Sequence, residues 1–198
     1  MITDNFLDEK SLKQVENAFD DFHFMWFLRK EQIAGQKDGF YFAHKLFTFL
    51  EPLPQVSMFY KQIISPFRQK IKWISLINAT CNLLTVRPTP LLSAFHQDWP
   101  DHPAVTSSIF YVNTNNGYTE MEDGTKIHSI KNRFAELGYK SHRAVGQTDI
   151  GTRIVINLNY IKPTERSIEA QEEMQEILKE EHGLHKLNFA THEDSNVE

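Results

Sequence analysis

A chain of 198 residues with a single cysteine, Cys81, suits one domain able to bury its own core, and it can form neither an internal disulfide nor a thiolate zinc cage. Its formal net charge of −5 supplies no counterion release to drive binding along a phosphate backbone, which disfavours nucleic acid as an obligatory partner. The 15 phenylalanines are bulk enough to fill a sandwich or barrel interior and to line a pocket.

In chain order, residues 2–7 form a short apolar opening read as a first strand, closed by Asp8 as helix N-cap. Leu12, Val15, Phe19 and Phe22 recur at helical spacing and predict a helix over 10–22. The aromatic run 22–27 has strand propensity, and so has 40–47 after the turn residues 35–39. His44 inside the second run reads as a packed or hydrogen-bonded histidine rather than a ligand. Glu51-Pro-Leu-Pro breaks the chain. Ser57 then caps an expected helix through Phe59, Ile63 and Ile64, with Pro66 kinking it or starting a second piece.

Residues 71–86 are rich in β-branched and apolar side chains and predict one or two strands. Arg87-Pro-Thr-Pro is a loop. Further strands are expected at 106–113, 118–121, 126–130, 133–135, 142–145 and 152–161, with a hairpin turn at Glu122-Asp-Gly-Thr. Strands this short and this frequent argue an antiparallel sandwich or barrel. A helix is expected over 167–181, its stripe Ile168, Met174, Ile177 and Leu178 and its stop Gly183, followed by a fraying polar tail. With no basic leader and no apolar stretch of spanning length, a soluble cytoplasmic protein is expected.

The chemistry concentrates in residues 95–160. In a strand, positions i and i+2 share a face, so His96 and Asp98 can converge while Gln97 looks away. A second imidazole must come from a neighbouring strand, and His142 begins one. Two imidazoles and one carboxylate make a facial set that leaves three positions open on a non-haem Fe(II). Within 152–160, Arg153, Val155, Asn157 and Asn159 share one face; Ile154, Ile156, Leu158 and Tyr160 share the other, which is the one to bury under helices. A guanidinium cannot lose its proton and suits a distal carboxylate. Ser107, Ile109 and Tyr111 share one strand face. Ser107, Tyr111 and Arg153 are either an ordinary buried polar cluster or a pocket wall, and their shared inward phase favours the pocket. His102 and His128 read as solvent-facing or groove residues, Arg143 as pointing outward, and Trp99 as packing or lining a substrate entry.

His96-x-Asp98, then His142, then Arg153 in Gly-Thr-Arg resembles the 2-oxoglutarate/Fe(II) dioxygenase superfamily, nearest its prolyl-4-hydroxylase-like branch. Ser108-Ile-Phe-Tyr-Val-Asn113 resembles its strand ending in Tyr-Leu-Asn, and Asn132-Arg-Phe134 its Asn-Arg-Leu segment. Asn116-Gly-Tyr-Thr119 resembles its Gly-Gly-x-Thr turn, with Asn116 at the usual first glycine. Asn82-Leu-Leu-Thr stands where many relatives carry a tyrosine. The resemblance implies a mainly β fold with flanking helices, a double-stranded β-helix or cupin-like jelly-roll barrel. It implies a single domain over 1–198: support at 1–90, catalytic core at 91–162, C-terminal helix at 163–183 and frayed tail at 189–198. His96, Asp98 and His142 would hold Fe(II), Arg153 would bind the C5 carboxylate of 2-oxoglutarate, and Tyr111 and Ser107 would complete that pocket. Dioxygen is the implied co-substrate, with ascorbate an optional accessory. The implied reaction is hydroxylation of a protein or peptide side chain of prolyl type, with no membrane partner. The alternatives are a nucleobase oxidative demethylase, which would want a basic groove, and a non-catalytic cupin-like metal-binding or sensing module.

Overall fold

Alternation along one strand divides its apolar side chains between two clusters. In a computed structural model describing residues 1–30, 39–49 and 55–165, Ile156, Leu158 and Tyr160 face a cluster built with Val15, Ala18, Ile63, Ile64 and Phe67, while Val155 faces a second with Ile109, Tyr111, Met121, Ile127 and Leu137. The first cluster seats the helices on the outer face of a sheet, as the alternation predicted; the second lies on its inner face.

The elements are β1 (Ile2–Thr3), α1 (Glu9–Phe19), β2 (Phe27–Arg29), β3 (Tyr41–Thr48), β4 (Gln55–Val56), α2 (Tyr60–Lys70), β5 (Ser75–Thr85), β6 (Val105–Tyr111), β7 (Tyr118–Met121), β8 (Lys126–His128), β9 (Arg133–Gly138), β10 (His142–Val145) and β11 (Thr152–Ile161). The chain divides into units Met1–Lys162 and Pro163–Glu198, and these elements all lie in the first. The larger sheet runs β1-β9-β6-β11-β5-β3-β2 with β4 on β3; the smaller runs β10-β7-β8, and every pairing is antiparallel. Two antiparallel sheets with helices on the outer face of the larger are the mainly β architecture expected.

Local chemistry explains the element ends. Asp8 caps α1 as expected, its carboxylate accepting from the Ser11 amide at 2.9 Å. Residues 75–85 form one strand rather than two. α2 runs through Pro66 instead of restarting there. Proline has no N–H to give the Gln62 carbonyl one turn back, and Gln14 Nε2 of α1 donates to that carbonyl at 2.7 Å instead. Asn132, at φ +62°, bonds both backbone groups of Leu7 at 2.9 and 2.8 Å, tying the start of the chain to the edge of β9. The β7–β8 hairpin turns on Gly124 at φ +84°. His44 is packed, as expected, between the Met25 carbonyl and the Ser57 hydroxyl at 2.7 Å each. No helix among the described residues is long and apolar enough to cross a membrane. The expected helix at 167–181 and tail at 189–198 lie outside the described residues, as does the Glu51-Pro-Leu-Pro break.

Candidate metal centre

The two candidate imidazoles are brought together by backbone. The segment carrying His96 runs antiparallel to β10, with Leu92 opposite Val145 and His96 opposite His142. His96 and His142 exchange both main-chain bonds, at 3.0 and 2.9 Å, and their ring centroids lie 4.7 Å apart. Asp98, two residues on, brings Oδ1 to 3.5 Å from His96 Nε2 and 3.8 Å from His142 Nε2. One ligand atom from each residue falls within 4.8 Å of the others. Atoms about 2.1 Å from a shared cation at right angles would stand about 3 Å apart, so the Asp98 separations are somewhat wider than those of a metal-bound three-ligand face and converge on the same point.

Each imidazole is held in one tautomer. His96 Nδ1 faces the Ala94 carbonyl and His142 Nδ1 the Lys140 carbonyl, both at 3.1 Å. A carbonyl only accepts, so Nδ1 carries the proton and Nε2 keeps its lone pair toward Asp98. Without a metal ion, burial disfavours ionised Asp98, but hydrogen bonds from His96 in its protonated form, from Ser107 and from Asn159, with the attraction of protonated His142, outweigh it and hold the carboxyl well below the usual carboxylate range. Burial lowers His142 below its ordinary value despite Asp98; at His96 burial is outweighed by the bonds to Asp98 and Ala94, and the group is raised. The site is one anion and two imidazoles competing for protons, which a divalent cation would displace.

The same cavity, of about 410 Å3, reaches Arg153. Its guanidinium is 1% exposed, donating from Nε to Ser129 Oγ at 2.8 Å and from Nη2 to Thr119 Oγ1 at 3.3 Å, with the Tyr111 ring centroid 5.6 Å from Cζ. No acidic side chain among the described residues pairs with it. Burial lowers its pKa, against the pull of Tyr111. A buried cation costs several kcal/mol in desolvation, and no acidic side chain among the described residues offsets that cost here.

The remaining candidates separate. Tyr111 lies against Arg153, but its hydroxyl is donated to Thr119 Oγ1 at 2.8 Å and the Ile127 carbonyl at 3.3 Å; Thr119, not Tyr111, lines the cavity. Ser107 sits at the other end, hydrogen-bonded by Asn159 and beside Asp98. Asn82 and Trp99 both line the cavity. Arg143 points outward, paired with Glu120 at 2.6 Å and lying 4.5 Å from the Phe95 ring centroid. His102 and His128 are exposed. The sequence reading passed over Tyr41, Thr119 as a wall residue, and Ser129. Alternation in Tyr41-Phe42-Ala43-His44 could have placed Tyr41 opposite the buried His44 face; nothing local marks Ser129. Asn116, in place of a glycine, clamps two turns by bonding Asp149 and Thr148 at 2.8–2.9 Å. The necessary glycine is Gly117: a Cβ there would stand 2.9 Å from Arg153 Cδ, Asn115 Oδ1 and the Val145 carbonyl.

No family model matches this sequence, and no curated protein matches it. Solved structures match its fold. An oxidoreductase of the 2OG-Fe(II) oxygenase family from Burkholderia pseudomallei superposes with a TM-score of 0.57 at 9% identity, over 79% of this chain and 81% of that one. A prolyl hydroxylase from Trichoplax adhaerens, in complex with a hypoxia inducible factor peptide fragment, gives 0.57 at 14% identity over 85% and 86%. A Pseudomonas putida prolyl-4-hydroxylase gives 0.54 at 11% identity over 82% and 92%. The chain therefore has the jelly-roll fold of the 2OG-Fe(II) oxygenases, and its His-Asp-His cluster is compatible with their iron site.

Proposed function

We propose that this protein is an Fe(II)- and 2-oxoglutarate-dependent oxygenase that hydroxylates a peptidyl side chain of prolyl type. The observation that carries the reading is a buried guanidinium, without an acidic partner among the described residues, on the wall of the same cavity that holds three convergent metal-ligand side chains. The residues fit the groups. Two neutral Nε2 atoms and one hard carboxylate oxygen suit Fe(II), and Arg153 offers a planar fork to a carboxylate.

His96, Asp98 and His142 would hold the iron, their orientation set by the Ala94 and Lys140 carbonyls and the bonds to Asp98. Arg153, steadied by Ser129 and Thr119, would bind the distal carboxylate of 2-oxoglutarate. Bound together, iron, 2-oxoglutarate and dioxygen supply oxidative decarboxylation to succinate and carbon dioxide coupled to substrate oxidation. The chain contributes ligand geometry and charge.

The peptidyl substrate rests on two supports. Prolyl hydroxylases are among the fold's neighbours. Beyond the imidazoles, Arg153 is the one cationic side chain among the described cavity residues, and Asn78, Thr80, Asn82 and Asn157 supply neutral amides and a hydroxyl. Such a lining suits a neutral polar group better than a nucleotide.

Anaerobic Fe(II) plus 2-oxoglutarate should produce a weak visible charge-transfer band, lost in His96→Ala, and air should release succinate slowly. Neither band nor succinate would sink the oxygenase and leave a metal-binding or sensing module. Succinate release stimulated by methylated oligonucleotides and not by proline-containing peptides would overturn the substrate class.

A further inference from the structure

Asp98 has two oxygens, and only one faces the imidazoles. Oδ1 lies 3.5 and 3.8 Å from the two Nε2 atoms, while Oδ2 accepts a hydrogen bond from Asn159 Nδ2 at 2.8 Å. Asn159 is 3% exposed, and the same Nδ2 donates to Ser107 Oγ at 3.0 Å. Its own Oδ1 accepts from Asn78 Nδ2 at 3.2 Å.

The row is built by register: Asn159 of β11 stands opposite Asn78 of β5 on one side and Ser107 of β6 on the other. A carboxamide can be turned over, and here the turn matters. Ionised Asp98 only accepts, so Asn159 must turn its NH2 to Oδ2 and its own oxygen to Asn78, which meets that oxygen with an N–H. Reversed, Asn159 would set oxygen against a buried carboxylate oxygen and N–H against N–H, leaving polar atoms unsatisfied at both ends.

We propose that Asn159, oriented by Asn78, is a positioning residue that confines Asp98 to single-oxygen binding of the metal ion. The proposal rests on the reading of the site as a metal centre. A carboxylate with both oxygens free can chelate and take two positions on a cation; with Oδ2 engaged it takes one, and three stay open. An amide does this without adding charge. A guanidinium or ammonium in its place would neutralise the carboxylate as a ligand, and a second carboxylate would repel it.

Anaerobic titration with Co(II) alone, followed by its visible d–d bands, separates the outcomes without any turnover. The wild type should bind one Co(II), and His96→Ala should lose the bands. Asn159→Leu, which keeps the volume and removes the donor, should bind about 10- to 100-fold more weakly with an altered band shape. Asn78→Ala should shift affinity in the same direction by less. Tyr160→Phe, on the opposite face of β11 where the hydroxyl bonds Glu136 at 3.0 Å, should bind Co(II) as the wild type does. Wild-type affinity and spectrum in Asn159→Leu, beside a silent His96→Ala, would overturn the proposal and leave the metal centre standing. A wild type that binds no Co(II) would fail the metal centre itself. Should Asn159→Leu not fold, Asn159→Ser, whose hydroxyl is too short to reach Asp98, decides by the same criteria.

Discussion

Replacing Arg153 by Met separates a ligand-binding cation from a structural post, because the first role shows only in the ligand-bound state and the second already in the ligand-free one. The guanidinium is 1% exposed with no acid partner among the described residues, and its protein contacts are two hydroxyls and the Tyr111 ring. Without a ligand, Met removes a desolvated charge worth several kcal/mol and forfeits two hydrogen bonds from a charged group worth about 1.5–3 kcal/mol each, so the terms nearly cancel and the variant should stay within about 3 kcal/mol of the wild type. With 2-oxoglutarate and a redox-inert divalent cation the loss becomes large. Losing one partner of a buried charge pair costs about 2–5 kcal/mol, or roughly 30- to several-thousand-fold in affinity.

Thermal unfolding reads both effects. At 100 times its own Kd, 2-oxoglutarate should stabilise the wild type by about 2.7 kcal/mol, or about 5–10 °C for a chain of this size. At the same concentration, a 30-fold weaker variant should gain under about 1 kcal/mol. A ligand-free Arg153→Met protein destabilised by more than about 3 kcal/mol, with an undiminished ligand shift, would show the guanidinium to be structural and remove it from the proposed mechanism.

Three further outcomes follow from particular contacts. Gly117→Ala would press a methyl to 2.9 Å of Arg153 Cδ and the Val145 carbonyl, so it should cost about 1–3 kcal/mol in urea unfolding and also weaken 2-oxoglutarate binding; a change in neither would mean the turn yields freely. Gln14→Ala leaves the Gln62 carbonyl without the donor that Pro66 cannot supply, at about 1–3 kcal/mol. In a Pro66→Ala background that cost should fall by at least about 0.5 kcal/mol, since residue 66 then offers its own N–H, and a fully additive double-mutant cycle would contradict the substitution of one donor for the other. The bond from Arg133 holds Asp4 below its ordinary pKa, and the Ser11 amide does the same for Asp8. A carboxyl lowered in the folded state stabilises above its unfolded pKa of about 3.9, and that stability fades as pH falls through the lowered folded values. Urea midpoints should therefore drop between about pH 5 and pH 2, less steeply in Asp4→Asn; parallel curves would assign the Asp4–Arg133 pair no part in acid sensitivity.

Much of this was legible along the chain. The bounds of the strands Tyr118–Met121, His142–Val145 and Thr152–Ile161 follow from alternation and turn residues, and the inward phase of Arg153, Asn157 and Asn159 follows from one strand's pleat. The ligand candidates His96, Asp98 and His142 were legible as residue types at a suggestive spacing, and the folded chain brings them within 4.8 Å. Less was legible where a partner lies on another strand. Ser107 and Tyr111 share a phase, yet Ser107 ends beside Asp98 and Tyr111 beneath Arg153, because the two positions stand four residues, about 13 Å, apart along β6. Pro66 looked like a break until a glutamine from another helix replaced its missing donor.

The amino-acid order alone settled which face each side chain presents and which chemical groups could meet a cation or an anion. Both are local matters, fixed by the two-residue period of a strand and by the donor and acceptor atoms a residue carries. Lateral neighbours were settled only by folding: Asn159 beside Asp98 across 61 positions, Asn78 behind it across 81, Ser129 under Arg153 across 24. Strand order and register depend on how two sheets and two helices bury their apolar faces together, and no single stretch of chain encodes that sum.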